Sequence, residues 1–406
     1  MLTDRGTGLI GAAVALWVAS RSFGVPELQM AAVAAFALVG LAIAFTAVTS
    51  NQLTVYRTAR PARLFAGDRG EVELALTNTG RLPTAYLDLR DRAPLSIAEG
   101  SQVSLPPLAA GERTTLRYQL RGDQRGRFEL GPLTVRLRDP FGLVAREHVL
   151  PGTAEVVVYP AVWRLPEGVP LGGTTTAGGG GRPRPLPSGE DLANVREYVR
   201  GDDLRTVHWP TTAHRGKLMV RQVEAPQDPR GVVLLDIRAA RHAGHGPGAS
   251  IEAAVTAAAS TIHHLASHGR SVTLVDRPVV APPSSMSWER WLERLAVIEA
   301  EDVDLPALLR QVAQGVAGDG ALVAILTVPT ADELRELVRA GRAFSTRIAV
   351  LVDTPSYRGR RDHDVTPVVA ALRVAGWRVT VLSAGDRLDE RWHELVLHRR
   401  AGAVVV

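Results

Sequence analysis

The sequence predicts a multidomain protein with an N-terminal transmembrane helical hairpin, an all-β sandwich and a doubly wound α/β domain of Rossmann type. Three observations lead to this prediction. Two apolar runs occupy residues 1–50, short alternating strands follow over 51–165, and strands alternate with helices over 229–406. Hydrophobic residues make up 46% of the 406 residues, which is ample for several separate cores.

Two membrane spans are predicted within residues 1–50. Residues 7–25 are apolar except for Arg21, and residues 28–48 carry no charge over a length that crosses a bilayer core as a helix. A cleaved signal peptide is the alternative for the first run. The second run follows after a very short turn, which favours a helical hairpin.

Basic residues predict the orientation of this hairpin. Arg21 is the only basic residue near the turn between the spans, whereas three arginines closely follow the second span: Arg57, Arg60 and Arg63. The positive-inside rule therefore predicts a two-span protein of the cell membrane, with its N-terminus and its soluble domains in the cytoplasm.

A β-sandwich of roughly immunoglobulin-like build is predicted over residues 51–165. Polar and apolar residues alternate over 71–77 and 113–121, and turn residues separate these strands from others. The D-P-F-G-L run at 139–143 is interpreted as a turn with a buried phenylalanine. Residues 166–187 are rich in Gly and Pro and are predicted to be a linker, without the Lys-Ser/Thr of a phosphate-binding loop.

An α/β domain is predicted over residues 229–406, because buried-type strands alternate with capped helices. Strands are expected at 231–236, 271–275, 321–327, 347–352 and 377–382. In such a domain ligands bind at the carboxyl ends of the strands, so Asp236 is the first position to consider.

Composition excludes several classes of function. A net charge of +5 does not call for a nucleic-acid partner, and the chain has no cysteine, which excludes disulfides and thiolate chemistry. His263, His264 and His268 share one predicted helix without the glutamate of an H-E-x-x-H metal site. We interpret these histidines, with His242 and His245, as surface or partly buried side chains.

Residues 188–228 carry the densest motif of the chain, here called the signature segment. Opposite charges alternate at short range around Tyr198 and Trp209, which favours a partly buried ionic network that docks on a neighbouring domain or a partner. A charged surface hairpin is the alternative. The candidate residues are Arg196, Glu197, Tyr198, Gly201, Asp202, Asp203, Arg205, His208, Trp209, Gly216, Lys217, Leu218 and Arg221.

This motif resembles that of the bacterial domain of unknown function 58 family, S-G-E-x-x-x-x-R-E-Y-x-x-G-D-D-x-R-x-[IV]-[DH]-W-x-x-x-A-x-x-G-x-L-x-V-[RK]. Arg200 and Pro210 depart from the commonest pattern. The resemblance implies a C-terminal domain similar to a von Willebrand factor A domain. It also implies partnership with a MoxR-type AAA+ ATPase and with transglutaminase-like membrane proteins.

The metal site of a von Willebrand factor A domain needs D-x-S-x-S, because Mg²⁺ prefers carboxylate and hydroxyl oxygens. Here the run is Asp236-Ile237-Arg238-Ala239-Ala240, so both serines are missing and Arg238 brings a cation. We therefore predict a degenerate site without metal or cofactor, in which Asp236 bonds to Arg238 or to the backbone. Arg238 is also expected to meet a carboxylate of the partner.

The functional prediction is a membrane-anchored, cytoplasm-facing interaction or scaffold protein, without enzymatic activity, that works with a MoxR-type ATPase in envelope-related assembly or maturation. One alternative is a hydrolytic enzyme that uses Asp202, Asp203 and His208. The other is a passive structural membrane anchor.

Overall fold

The computed structural model describes residues 1–49, 53–94, 97–99, 101–169, 195–198, 207, 209–221, 230–278, 286–315, 320–360 and 364–397. Helices α1 (Asp4–Phe23) and α2 (Pro26–Thr49) form an N-terminal pair, joined by a turn in which Gly24 has a φ of +66°. Both helices are long and apolar enough to cross a membrane. The predicted apolar helix pair is thereby confirmed.

Eleven strands follow within the described residues 53–159, and hydrogen bonds join them into three sheets. In chain order they are β1 (Leu53–Arg60), β2 (Arg63–Phe65), β3 (Arg69–Asn78), β4 (Tyr86–Asp91), β5 (Ala98–Glu99), β6 (Gln102–Leu105), β7 (Arg113–Arg121), β8 (Gly126–Leu130), β9 (Leu133–Arg138), β10 (Ala145–Leu150) and β11 (Ala154–Tyr159). Two antiparallel sheets of four strands, β1-β3-β7-β5 and β10-β9-β4-β6, enclose a common apolar core. Strands β2, β11 and β8 form the third sheet.

The turn between β9 and β10, residues 139–144, is here called the docking loop, because it binds the start of α1. Leu2 pairs with Val144 as an antiparallel bridge, and the Thr3 hydroxyl donates to the Gly142 carbonyl at 2.6 Å. The interpretation of a buried phenylalanine in this loop is wrong. Phe141 is 57% exposed, because its neighbours Leu143 and Val144 take the buried positions.

Arg57 lies inside the sandwich, although the sequence places it among the basic residues that follow the second span. Its guanidinium binds the Asp91 carboxylate, with Nε 3.1 Å from Oδ2, and both side chains are almost fully buried. The Tyr118 hydroxyl donates to the same carboxylate at 2.7 Å. The Arg57 charge is therefore neutralised within the fold and does not face a lipid surface.

Part of the signature segment forms a small unit after the sandwich. Strand β12 (Val195–Glu197) pairs antiparallel with β13 (Met219–Arg221), and the short helix α3 (Trp209–Arg215) lies between them in sequence. The Thr212 hydroxyl accepts a hydrogen bond from the Met219 N–H at 3.0 Å, which ties the helix to the hairpin.

Strands and helices alternate in the α/β domain. They are β14 (Arg230–Leu235), α4 (Ser250–Ser267), β15 (Ser271–Val275), α5 (Trp288–Ala296), α6 (Leu305–Gly315), β16 (Ala321–Thr327), α7 (Ala331–Gly341), β17 (Thr346–Val352), α8 (Thr366–Val374), β18 (Arg378–Leu382) and α9 (Leu388–Leu397). All neighbours in the sheet are parallel, in the order β15-β14-β16-β17-β18.

Helices cover both faces of this sheet, as the doubly wound prediction requires. Alternate residues of β14 point to opposite cores, with Val233 and Leu235 in one and Val232 and Leu234 in the other. Helices α4, α5 and α9 contribute to the first core, and α6, α7 and α8 to the second. Strands buried on both faces read as continuous apolar runs, which is why the sequence shows them clearly.

The sandwich and the α/β domain share one core. Val157 and Tyr159 of β11 pack with Trp291 and Leu292 of α5. Arg125, only 6% exposed, extends from the sandwich to the α/β domain, where its Nε donates to the Leu295 carbonyl at 3.0 Å. The same guanidinium donates to the Ile298 carbonyl and pairs with Glu252 of α4. This buried arginine therefore ties the sandwich to two helices of the α/β domain.

Replacing Arg125 by Ala should lower the free energy of unfolding of the full chain in detergent by about 3–5 kcal/mol. The reason is that Glu252 and two carbonyls would lose their buried donor. Arg127→Ala is the matched control, since Arg127 is 52% exposed and pairs with Glu155 at the surface, so it should cost less than about 1 kcal/mol. Equal unfolding curves for both variants would contradict a structural role of Arg125.

Candidate functional site

The candidate site lies at the carboxyl edge of the parallel sheet, where β14 and β16 end. The chain leaves β14 for β15 on one side and later enters β16 on the other, so these two strands flank the topological switch point. Open α/β sheets bind ligands at such a point, because the connections diverge there and leave a crevice. Asp236 follows β14 directly, and Thr327 is the last residue of β16.

Asp236 is 1% exposed, and Arg238 binds it in a bidentate pair. Arg238 Nε donates to Oδ1 and Nη2 donates to Oδ2, both at 2.8 Å. The Thr327 hydroxyl and the backbone N–H groups of Thr327 and Arg238 donate to the same carboxylate at 2.7, 3.2 and 3.2 Å. Burial opposes ionisation, but these donors and the arginine charge outweigh it and hold the pKa of Asp236 below its ordinary value.

Glu333 completes a quartet of charges at this edge, together with Asp236, Arg238 and Arg241. Its carboxylate pairs with Arg238 Nη1 and accepts from Arg241 Nη2 at 3.2 Å. Burial works against ionisation of Glu333 too, but the Thr330 N–H and the two arginines lower the pKa of this carboxyl. The negative charges of two carboxylates and the positive charges of two guanidinium groups therefore balance within one hydrogen-bonded cluster.

A capping box positions Glu333. The Thr330 hydroxyl accepts from the Glu333 N–H at the start of α7, and the Glu333 carboxylate accepts from the Thr330 N–H at 2.8 Å. The sequence pointed to Asp236 at the end of the first strand, and Glu333 was not among the predicted site residues. The T-x-x-E pattern that follows β16 was the available signal.

His242 links the backbone of Asp236 to Ser250, the first residue of α4. Its Nε2 lies 2.8 Å from the Asp236 carbonyl and its Nδ1 lies 2.9 Å from the Ser250 hydroxyl. Because the carbonyl can only accept, Nε2 carries a proton, and in the neutral ring Nδ1 accepts from the Ser250 hydroxyl, which itself accepts from the Ala243 N–H. Burial lowers the pKa of His242, which agrees with this neutral form.

The same edge continues with a second paired acid. Asp276, which directly follows β15, is 1% exposed and binds Arg294 of α5 at 2.5 Å. Arg277 lies 3.4 Å from the same carboxylate and also binds Glu301 at 3.1 Å. The acids that follow β14 and β15 are thus both paired with arginine.

Chemically, the quartet suits rigid positioning better than proton transfer. A carboxylate offers about four lone-pair sites, and five donors surround that of Asp236. A carboxyl with a lowered pKa and this many donors is a weak base. The arrangement therefore fixes the shape and charge of the sheet edge.

Arg238 was expected to bind a carboxylate of the partner, but its guanidinium is already engaged within the fold. Its side chain is 12% exposed and its donors face Asp236 and Glu333. Arg241 is the more accessible arginine of the quartet, with a side chain that is 36% exposed. The expected bond between Asp236 and Arg238 is present.

The structure brings only some signature residues together. Lys217 and Glu197 form a 3.1 Å pair with both side chains at least 60% exposed, which is a surface interaction. Trp209 and Leu218 are exposed at 67% and 39%, and the Tyr198 N–H donates to the Leu218 carbonyl. Gly216 has a φ of +65° at the end of α3, a conformation that favours glycine.

The predicted ionic network lies outside the described residues. This applies to Gly201, Asp202, Asp203, Arg205 and His208, and to the side chains of Arg196 and Arg221. The alternative enzyme site at Asp202, Asp203 and His208 lies outside them as well.

The histidines on α4 pack in the fold. His264 is 5% exposed, its ring centroid is 4.5 Å from that of His268, and it meets Trp392 edge-on at 5.9 Å. His263 meets Trp288 at 5.1 Å. Burial, followed by the charges of His268 and His263, lowers the pKa of His264 to about 4.

Together these elements define a chain with an apolar helix pair, a β-sandwich and a doubly wound α/β domain whose switch point is closed by ion pairs. Residues 194–289 match the family described as "Protein of unknown function DUF58". This match confirms the resemblance that the signature segment indicates.

A curated relative extends the likeness. The chain is 26% identical over 221 residues to "Uncharacterized protein YeaD" of Bacillus subtilis (strain 168), a match that covers 52% of each protein. The chain thus spans about half the length of that relative.

Solved structures give weaker matches. The CARDB domain of the PF1109 protein from Pyrococcus furiosus matches at 20% identity with a TM-score of 0.19, covering 26% of this chain and 86% of that one. Trypsin-activated alpha-2-macroglobulin from Escherichia coli matches at 23% identity and 0.21, covering 27% and 7%. Scores this low carry no argument about the fold.

The depressed pKa of His264 makes the stability of the α/β domain depend on pH. The unfolded chain takes up a proton on this histidine near pH 6.5, whereas the folded chain does so only near pH 4. Stability is therefore lost as the pH falls from 6.5 towards 4, by about 2 kcal/mol at pH 5. His264→Leu should reduce this loss, measured as unfolding free energy against pH.

His245→Leu is the matched control for this titration, because His245 is exposed in the loop before α4. It should leave the pH dependence of wild type unchanged. If His264→Leu and wild type lose stability in parallel between pH 6.5 and 4, the buried histidine is not the source of the acid sensitivity.

Proposed function

We propose that this protein is a membrane-anchored, cytoplasm-facing interaction protein whose signature segment binds a partner. The observation that carries the proposal is the 67% exposure of Trp209 within the region that matches the family. Tryptophan is among the residues most enriched in binding hot spots, so an exposed tryptophan is a candidate centre of an interface.

The surroundings of Trp209 favour binding of a protein. Leu218 adds a second exposed apolar side chain to the segment, and the Lys217–Glu197 pair lies on the hairpin next to it. An apolar centre beside charged side chains is the usual composition of a protein–protein interface. Thr211 and Met219 of the same segment are buried, at 5% and 4% exposure.

The α/β domain is proposed to be a von Willebrand factor A-like domain with a lost metal site. The five donors around the Asp236 carboxylate support this, since a metal ion would have to displace the Arg238 guanidinium. With its switch point occupied by a side chain, such a domain works through its surface. Arg241 is the accessible cation there for an acidic group of the partner.

Membrane attachment is proposed to occur through α1 and α2. The N-terminal ammonium of Met1 donates to the Ala145 carbonyl at 2.7 Å, so the N-terminus and the sandwich lie on the same side of the hairpin. This supports an even number of crossings. The cytoplasmic orientation rests on the basic residues after the second span, of which Arg60 is exposed and Arg57 is neutralised by Asp91.

The partner proposed from the family resemblance is a MoxR-type AAA+ ATPase, with a transglutaminase-like membrane protein as a further member of the complex. A role in envelope-related assembly or maturation then follows by analogy.

The test is a pull-down of a MoxR-type ATPase of the same organism by the full chain in detergent, with wild type and Trp209→Ala. Loss of a hot-spot tryptophan costs about 2 kcal/mol or more of binding energy, so affinity should fall about 30-fold. Stability should be nearly unchanged, because the side chain is exposed.

Val374→Ala is the matched control, since Val374 is an apolar residue on α8 that is 90% exposed and far from the signature segment in sequence. It should retain the wild-type affinity. Equal affinity of wild type and Trp209→Ala would remove this surface from the interface. Failure of wild type to bind the ATPase would overturn the partnership and leave a passive anchor as the better account.

A further inference from the structure

The docking loop has an internal scaffold that fixes its shape. Asp139 is 2% exposed, and its carboxylate accepts from the N–H groups of Phe141 at 2.9 Å and Val144 at 2.6 Å. Gly142 has a φ of +68°, which turns the chain sharply at the tip. Phe141 is therefore held in an exposed position by the loop backbone.

This loop is joined to the membrane helices over a dense set of contacts. The Thr3 N–H donates to the Leu143 carbonyl at 3.0 Å, and Leu143 and Val144 pack against Val39 and Ala42 of α2. Gly6 permits the approach, since a Cβ there would lie 2.2 Å from the Leu143 carbonyl oxygen. The loop consequently lies beside the hairpin, about one turn from the start of α1.

The basic residues of α1 indicate how deep the docking loop lies in the membrane. Arg5 and Arg21 are the basic residues near its two ends, about 24 Å apart along the helix at 1.5 Å per residue. That length approaches the thickness of a bilayer core. Trp17 lies under Arg21, with the guanidinium 5.9 Å from its ring, as is typical of an interfacial anchor. The Arg5 end therefore lies at the opposite interface.

Arg5 lies next to the tip of the docking loop at that interface. A Cβ on Gly142 would lie 3.7 Å from Arg5 Nη1, so the guanidinium is next to the tip of the loop. An exposed aromatic ring beside an exposed cation matches the layer of lipid headgroups, where rings lie among the upper acyl chains and arginines meet phosphates. Met1, which pairs with Ala145, adds another exposed apolar side chain at 95%.

We propose that the docking loop is a third membrane contact, through which the β-sandwich itself inserts Phe141 into the headgroup layer of the bilayer. The proposal rests on membrane anchoring by α1 and α2. Insertion of Phe141 would hold the β-sandwich and the α/β domain against the lipid surface at a fixed orientation.

The chain has no cysteine, so a single introduced one carries a label at a unique position. Three variants of the full chain would be labelled with a polarity-sensitive fluorophore in phosphatidylcholine/phosphatidylglycerol vesicles: Phe141→Cys, Leu41→Cys and Val374→Cys. Leu41 is 65% exposed on α2 and reports the span, and Val374 reports the aqueous side. Nitroxide-labelled lipids, with the nitroxide in the headgroup or high on the acyl chain, serve as quenchers.

The proposal expects at least about twofold stronger quenching at position 141 than at position 374 by both shallow nitroxides. If the label at position 41 is quenched, but quenching at position 141 is no stronger than at position 374, the loop contact is overturned and the anchor stays intact. Absence of quenching at position 41 would overturn the membrane anchor and the loop contact together. A label at position 141 that is shielded from water but not quenched by lipid would assign the loop to a protein partner and would also overturn the proposal.

Discussion

The bidentate pair between Asp236 and Arg238 is the interaction on which the edge of the α/β domain depends. It links the end of β14 to β16 through Thr327 and to α7 through Glu333. Asp236 is not stable as a buried ion without the guanidinium, because desolvation of an unpaired charge costs several kcal/mol. The pair thus holds together the place where a doubly wound domain ordinarily opens to a ligand, and it makes that place a rigid, charge-balanced surface.

Two further contacts extend this rigidity towards the N-terminal helix pair. Arg125 inserts from the sandwich between the carbonyls of the α/β domain, and the docking loop binds the first turn of α1. Trp209 belongs to a unit with its own hairpin and short helix, and its exposure gives the assembly an apolar surface that a partner can cover.

Much of the fold could be predicted because its signals are local. Strands such as β7 and β16 have the predicted bounds, since alternation marks one and continuous burial marks the other. Strand β1 and the burial of Arg57 could not be predicted, because a charged residue inside a sheet is explained only by Asp91, 34 positions away. The site divides in the same way. The bond between Asp236 and Arg238 is local, whereas Glu333 joins them only through the fold, and Phe141 is exposed because its neighbours bind α1.

A double-mutant cycle on Asp236 and Arg238 tests the central claim most directly. Unfolding free energies of the full chain in detergent would be compared for wild type, Asp236→Asn, Arg238→Gln and the double variant. The account predicts that each single change costs about 3–5 kcal/mol and that the double variant is more stable than the sum of both costs implies, with a coupling of about 2 kcal/mol or more. The exposed pair of Arg310 and Asp304, 3.8 Å apart, provides the control cycle with additive changes. Additive costs within about 0.5 kcal/mol for Asp236 and Arg238 would contradict the account.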